Sequence, residues 1–243
     1  MIRQQAIKNE FGKNDFRWRG NEVSRVEGLS DAVFAIAIAL LIVSLEVPKT
    51  FNELQLIMEG FVSFGVTFLV IFAIWFRHYK FFRHYGVSDT KMIILNGFLL
   101  FFVLFYIYPL KFLTTLLIDS LLLKEILGFN ISVNISIVGE QVPTLMIIYS
   151  SGFFAIATVL TLMYFHVLTL KEKLELNQYE ISQTKLGINA FLICVVISFL
   201  SVCIAFFGEI EDSKWAGMIY WLIGPLEAAN SIYFSRKFKN KNA

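Results

Sequence analysis

The chain of 243 residues is 57% hydrophobic and 16% charged, with a net charge of +2. Soluble domains average roughly 45–50% apolar and 25% charged residues, so an ordinary soluble fold is excluded, and a mean hydropathy of +0.66 makes lipid the fitting solvent. The small net charge also speaks against a nucleic-acid partner.

Residues 1–27 carry six Lys and Arg mixed with acids and amides. No apolar run follows the first basic residues directly, so a cleavable signal is not expected. A membrane-crossing helix needs roughly 20 mostly apolar residues. Six stretches meet that length: residues 28–47, closed by Pro48; 54–76; 92–117, which contains Pro109; 143–170; 186–207; and 215–234. The sequence therefore predicts an all-α integral membrane protein. It divides into a cytoplasmic segment (1–27), a six-helix domain (28–234) and a basic tail (235–243).

Charge placement tests this map. Lys and Arg collect on the cytoplasmic side of membrane proteins. With the N-terminus inside, the inner segments hold 17 of these residues and the outer segments hold four: Lys49, Lys111, Lys124 and Lys214. An even number of spans with both termini cytoplasmic is the expectation. The long outer connection contains Asn130-Ile-Ser132 and Asn134-Ile-Ser136, which fit the glycosylation pattern but also suit a polar loop.

Within the spans, each polar residue needs a reason. Arg25, Ser30 and Asp31 open the first span, where an acid at a helix N-terminus is favoured by the macrodipole. Beyond them, Ala32 to Val43 is entirely apolar. Ile36, Leu40 and Val43 share one face, with Leu29 and Val33 extending it inward. Ala32, Ala35 and Ala39 form a neighbouring stripe of small residues, which let membrane helices approach closely. Periodicity alone leaves two readings open: a packed central helix, or a pore-lining one whose branched side chains narrow the path.

At the end of the second span, Trp75-Phe-Arg77-His78 reads as an interfacial belt, and His78 is placed to bond Asp31 or Ser30. Asn96 is suited to a bond between helices, and Pro109 is expected to kink its helix. Glu227 is expected to pair with Arg236, to lie near the inner interface, or to serve a proton pathway. Cys194 and Cys203 share one apolar run and read as packing residues. No catalytic motif is present: His-Glu-x-x-His, Gly-x-Ser-x-Gly and Cys-x-x-Cys are absent. So is the Thr-Val-Gly-Tyr-Gly filter. An enzyme is therefore not expected. A membrane-embedded enzyme or accessory subunit near His78, His84 and Asp31 stands as a minor alternative.

The run from Arg25 through Leu29-Ser30-Asp31-Ala-Val-Phe34-Ala-Ile36-Ala-Ile38-Ala39-Leu40-Leu41 resembles the signature of the transmembrane protein 175 family of potassium channels. That signature reads Arg-x-x-x-Phe-Ser-Asp, followed by Gly-Val-Phe-Ala-Ile-Ala-Ile-Thr-Leu-Leu. Trp75-x-x-His78 is similar to the family's Trp-x-x-His, and Asn96 and Pro109 match family positions. The resemblance is strong over residues 25–120.

It implies a six-helix subunit of a cell-membrane homo-oligomer, a tetramer, whose first helix lines a central pore. Ile36, Leu40 and Val43 then form the hydrophobic constriction. Arg25, Ser30, Asp31, Trp75 and His78 form a structural polar network. Potassium is the permeant ion, the other partners are the bilayer and further copies of the chain, and no cofactor or resident metal is implied. Three departures stand out: Leu29 for Phe, Ala32 for Gly, and Ala39 for a Thr beside the constriction. The last replaces a hydroxyl that helps an ion shed water, so a proton or non-selective cation channel is the runner-up.

Overall fold

A computed structural model of the chain describes residues 16–20, 22–43, 47–118 and 137–242. Among the described residues the regular structure is helical, with no strand. The helices are α1 (Arg25–Val43), α2 (Phe51–Glu59), α3 (Phe61–Tyr85), α4 (Thr90–Thr115), α5 (Val142–Thr169), α6 (Gln178–Phe207), α7 (Ser213–Met218) and α8 (Ile223–Asn242).

Side-chain caps set four of these eight starts. Ser24 and Glu27 form a reciprocal capping box before α1: the Glu27 N–H donates to Ser24 Oγ at 3.2 Å and the Ser24 N–H to Glu27 Oε1 at 3.1 Å. Thr50 caps α2, Asp89 caps α4 and Asn177 caps α6, each side chain accepting a backbone N–H of the first turn. Such caps satisfy donors that a helix start otherwise leaves orphaned. Helix α3 ends at Gly86, whose φ of 59° is the left-handed conformation that glycine adopts without steric cost.

Among the described residues four helical segments are long and apolar enough to cross a membrane: Phe61–Tyr85, Thr90–Ile118, Gly139–Thr169 and Gln178–Phe207. The second crossing thus lies later than residues 54–76. Gly60 divides the short helix α2 from α3, and the helix continues through Arg77, Lys80 and Arg83, whose long stems can reach an interface. Trp75 and His78 therefore sit inside α3, not at its end. Pro109 also lies inside α4, without ending it; membrane helices tolerate such prolines where neighbours satisfy the freed carbonyl.

The predicted first and sixth spans are not among the four. Helix α1 is described only as far as Val43. The stretch 215–234 is divided among α7, a 3-10 turn at Ile219–Leu222 and α8, which runs on into the basic tail. The two glycosylation patterns lie outside the described residues.

Helices α5 and α6 form the most extensive pair, and α4 packs on α5. Helix α1 lies against both α3 and α4. One continuous core joins Phe34, Ala37 and Leu41 of α1 to Ile71, Phe81 and Phe82 of α3 and Leu99, Val103 and Ile107 of α4. It continues into Ile156, Leu160 and Met163 of α5. Helices α4 and α5 approach closely at Gly152, where an added Cβ would come within 2.3 Å of the Tyr106 ring.

Candidate functional site

Helix α1 has one packed face. Glu27, Ser30, Phe34, Ala37 and Leu41 recur at helical spacing and are buried against α3 and α4. The opposite face of the isolated subunit is bare: Leu29 is 61% and Ile36 54% exposed, and Ala32, Ala35 and Ala39 are exposed beside them. Leu40 sits at the margin, half-buried against the core. The side chain of Val43 lies outside the described residues. Ile36 stands 11 residues into the helix, about 16 Å from its start at 1.5 Å per residue.

At the C-terminal end of α1, Lys111 Nζ donates to the Leu41 carbonyl at 3.1 Å. A cation there complements the negative end of the helix dipole. Lys111, expected in the outer segment, belongs to α4.

A buried polar chain fixes the packed face. Ser30 Oγ donates to the Val26 carbonyl at 2.8 Å, and Asn96 Nδ2 donates to Ser30 Oγ at 2.9 Å. His78 Nε2 lies 2.8 Å from Asn96 Oδ1. The directions follow from proton counting. The single hydroxyl hydrogen of Ser30 is spent on Val26, so the Asn96 amide must donate to it. Asn96 then turns its carbonyl oxygen to His78, whose Nε2 is the donor. His78 thus reaches Ser30 through Asn96 rather than directly.

Asp31 makes a separate contact, accepting from Trp75 Nε1 at 2.8 Å on the exposed side. Arg25 is exposed, and no described residue bonds to it. Asn96→Leu is expected to cost about 1–3 kcal/mol, because it strands two buried polar groups at once; thermal unfolding in detergent measures it.

A second polar centre gave no warning in the charge pattern. The Glu180 side chain is fully buried and completes the α6 capping box with Asn177. It also accepts two bonds from Arg19, Nη1 to Oε1 at 3.0 Å and Nη2 to Oε2 at 2.8 Å. Arg17 adds its backbone N–H at 3.0 Å and its guanidinium at 3.2 Å. Around it, Arg19 Nε donates to the Leu174 carbonyl, and Arg17 and Arg19 both reach the carbonyl of Glu175, a residue at φ 49°.

Residues 16–20 form a strap between the α5–α6 turn and the end of α3. Arg19 and Gly20 donate their N–H groups to the Arg83 carbonyl, and Arg83 Nη1 donates to the Gly20 carbonyl at 2.7 Å. Gly20 is required for this approach: an added Cβ would stand 2.6 Å from the Phe82 carbonyl oxygen. Asn177-x-x-Glu180 is a capping-box pattern that marks only the start of α6; the strap has no such signal, because its partners Arg17 and Arg19 are some 160 residues away in sequence.

The remaining singled-out residues have ordinary partners. Glu227 forms an ion pair with Arg77 of α3 at 3.8 Å instead of with Arg236. His166 bonds Asp89 at 2.7 Å. Burial pushes the Asp89 carboxyl up, but hydrogen bonds from His166 and the Met92 N–H outweigh it and hold the group below the usual carboxylate range. Cys194 and Cys203 are free thiols. Among the described residues no group of three or more His, Cys, Asp or Glu is arranged to hold a metal ion.

Residues 25–106, the region of α1, α3 and the polar chain, match the family described as the endosomal/lysosomal potassium channel TMEM175. A protein of Marivirga tractuosa named as a potassium channel is 39% identical over 231 residues, covering 92% of each chain. The chain belongs to the TMEM175 family. A second TMEM175-like relative, from Chamaesiphon minutus and also named as a potassium channel, is 26% identical over 196 residues, 75% of this chain and 87% of that one. Among solved structures, a variant of the potassium channel MtTMEM175 bound to a nanobody–MBP fusion superposes with a TM-score of 0.81 at 37% identity. It covers 93% of this chain and 99% of that one. TMEM175 membership makes this a multi-pass membrane protein of a channel family rather than an enzyme family.

Proposed function

We propose that the chain is one subunit of a potassium-conducting channel of the cell membrane, a homotetramer with six spans per subunit and both termini cytoplasmic. Four copies of α1 surround the axis, and Ile36, Leu40 and Val43 form the dry collar. Of the network residues, Ser30 and His78, joined through Asn96, hold the packed face of the helix, and the Trp75–Asp31 bond holds its exposed side; Arg25 stands apart from both.

The observation that carries the proposal is the character of the bare α1 face. Other exposed apolar surfaces of the isolated subunit are made of large side chains: Phe98, Phe101 and Phe105 on α4, and Phe199 and Leu200 on α6. The bare face of α1 instead sets three alanines around Ile36. Small residues suit close approach of another helix better than contact with acyl chains. Branched side chains spaced along a shared axis would then exclude water and gate by dewetting. Potassium sheds its water more readily than sodium, so such a collar favours it weakly.

The test is flux from purified protein in liposomes, with reversal potentials taken in potassium, sodium and pH gradients. Potassium current from a four-fold particle is expected; a monomeric particle without current rejects the proposal. Ala39 favours modest selectivity, because no hydroxyl assists dehydration beside the collar. Ala39→Thr is accordingly expected to raise the potassium-to-sodium permeability ratio several-fold, roughly 1 kcal/mol of discrimination. A reversal potential led by protons would instead favour the proton-pathway alternative.

A further inference from the structure

The Arg77–Glu227 pair lines a cavity that the proposed conduction path does not use. The cavity measures about 360 Å³ and lies between α3, α6 and α8, with Tyr164, Gln183, Asn230 and Ser231 among its walls. That size falls within the roughly 300–1,000 Å³ of small-ligand sites. It opens at the end of the bundle where the basic residues of α3 collect.

The two charges are loosely engaged. Their closest atoms are 3.8 Å apart, well beyond the 2.7–2.9 Å of a charge-assisted hydrogen bond. Both are partly accessible, Arg77 at 50% and Glu227 at 32% of the side chain. Arg77 is steered into place by the Phe191 ring, whose centroid lies 5.4 Å from its guanidinium carbon. A cation and an anion held side by side at membrane depth are costly unless something completes their hydrogen bonding.

We propose that this cavity binds the headgroup of a zwitterionic aminophospholipid, of the phosphatidylethanolamine class. The guanidinium fork matches two phosphate oxygens. The ammonium group donates to the Glu227 carboxylate, and the Gln183 amide stands in the wall beside it, while Asn230 Nδ2 is already engaged with the Leu186 carbonyl at 3.3 Å. A purely anionic lipid would satisfy Arg77 but meet Glu227 with like charge. A choline headgroup has no N–H to give to the carboxylate. No residue of α1 lines the cavity, so its occupancy is tested apart from the proposed ion path.

Native mass spectrometry of the delipidated full-length protein tests this, with phosphatidylethanolamine, phosphatidylcholine, phosphatidylglycerol and soluble glycerophosphoethanolamine as probes. The ethanolamine lipid is expected to be retained about tenfold better than the other two lipids, the worth of one charge-assisted bond. Glu227→Gln should abolish its advantage over phosphatidylglycerol, and Ser231→Trp, at an exposed position on α8, should block retention while leaving the ion pair intact. If Glu227→Gln does not fold, Ser231→Trp decides. Equal retention of the three lipids, or retention unaffected by Ser231→Trp, overturns the proposal. Full displacement by glycerophosphoethanolamine at matched concentration overturns the lipid assignment in favour of a soluble headgroup.

Discussion

Ile36→Asn is expected to raise single-channel conductance and to lower the preference for potassium over sodium. The side chain stands on the bare face of α1. Four amides in a ring would let water wet a collar that four branched alkyl groups keep dry. The gain follows from removing a dehydration step: each 1.4 kcal/mol of barrier is about a factor of ten in rate, so a roughly tenfold rise in flux needs only partial wetting. Selectivity falls because an ion that keeps its shell is no longer sorted by the ease of losing it. The same substitution on a lipid-facing or packed helix would destabilise the protein and leave no current to measure. Unchanged conductance in a well-folded Ile36→Asn channel would therefore remove Ile36 from the ion path. Leu40 is half-buried against the core, so Leu40→Asn should cost stability as well as sealing.

Glu180→Ala is expected to give the largest loss of stability of any single substitution discussed. It removes one buried carboxylate that serves two arginines, a backbone N–H and the α6 capping box. Deleting one partner of a buried ion pair typically costs about 3–5 kcal/mol. The lower end applies here, because Arg17 is half-exposed and can turn to water. Glu180→Gln should fall between wild type and alanine, since an amide keeps the cap but not the charge. Melting temperature in detergent, together with proteolysis at residues 16–20, reads both effects. An alanine variant that melts with wild type and keeps the strap protected would show that the cluster is decorative.

Much of the helical order was legible because lipid makes hydropathy a strong signal. The third to fifth spans need only apolar length, and α4, α5 and α6 fall within a few residues of expectation apart from the N-terminal extension of α6. The second span was placed too early because Phe51 to Met58 is apolar enough to blur into α3, while Gly60 sets the true break. The sixth was read as one helix because average hydropathy does not register the 3-10 turn before Pro225. At the site, the signature in α1 identified the face to watch. Asn96 was recognised as a bonding residue, but not as the link between His78 and Ser30, because a link of two steps has no fixed spacing in sequence. Glu180 and the strap were illegible for the same reason in stronger form: their partners lie far apart along the chain.

The direction of bonding behind α1 has one further consequence. An imidazole and a hydroxyl can each accept a hydrogen on one side and release another, which is how charge hops along a wire. An amide placed between them does neither, because its two hydrogens stay on nitrogen and its oxygen does not give one up. With Asn96 standing between His78 and Ser30, this relay is insulated. A proton therefore cannot pass from His78 to Ser30 along this chain without a water to bypass the amide.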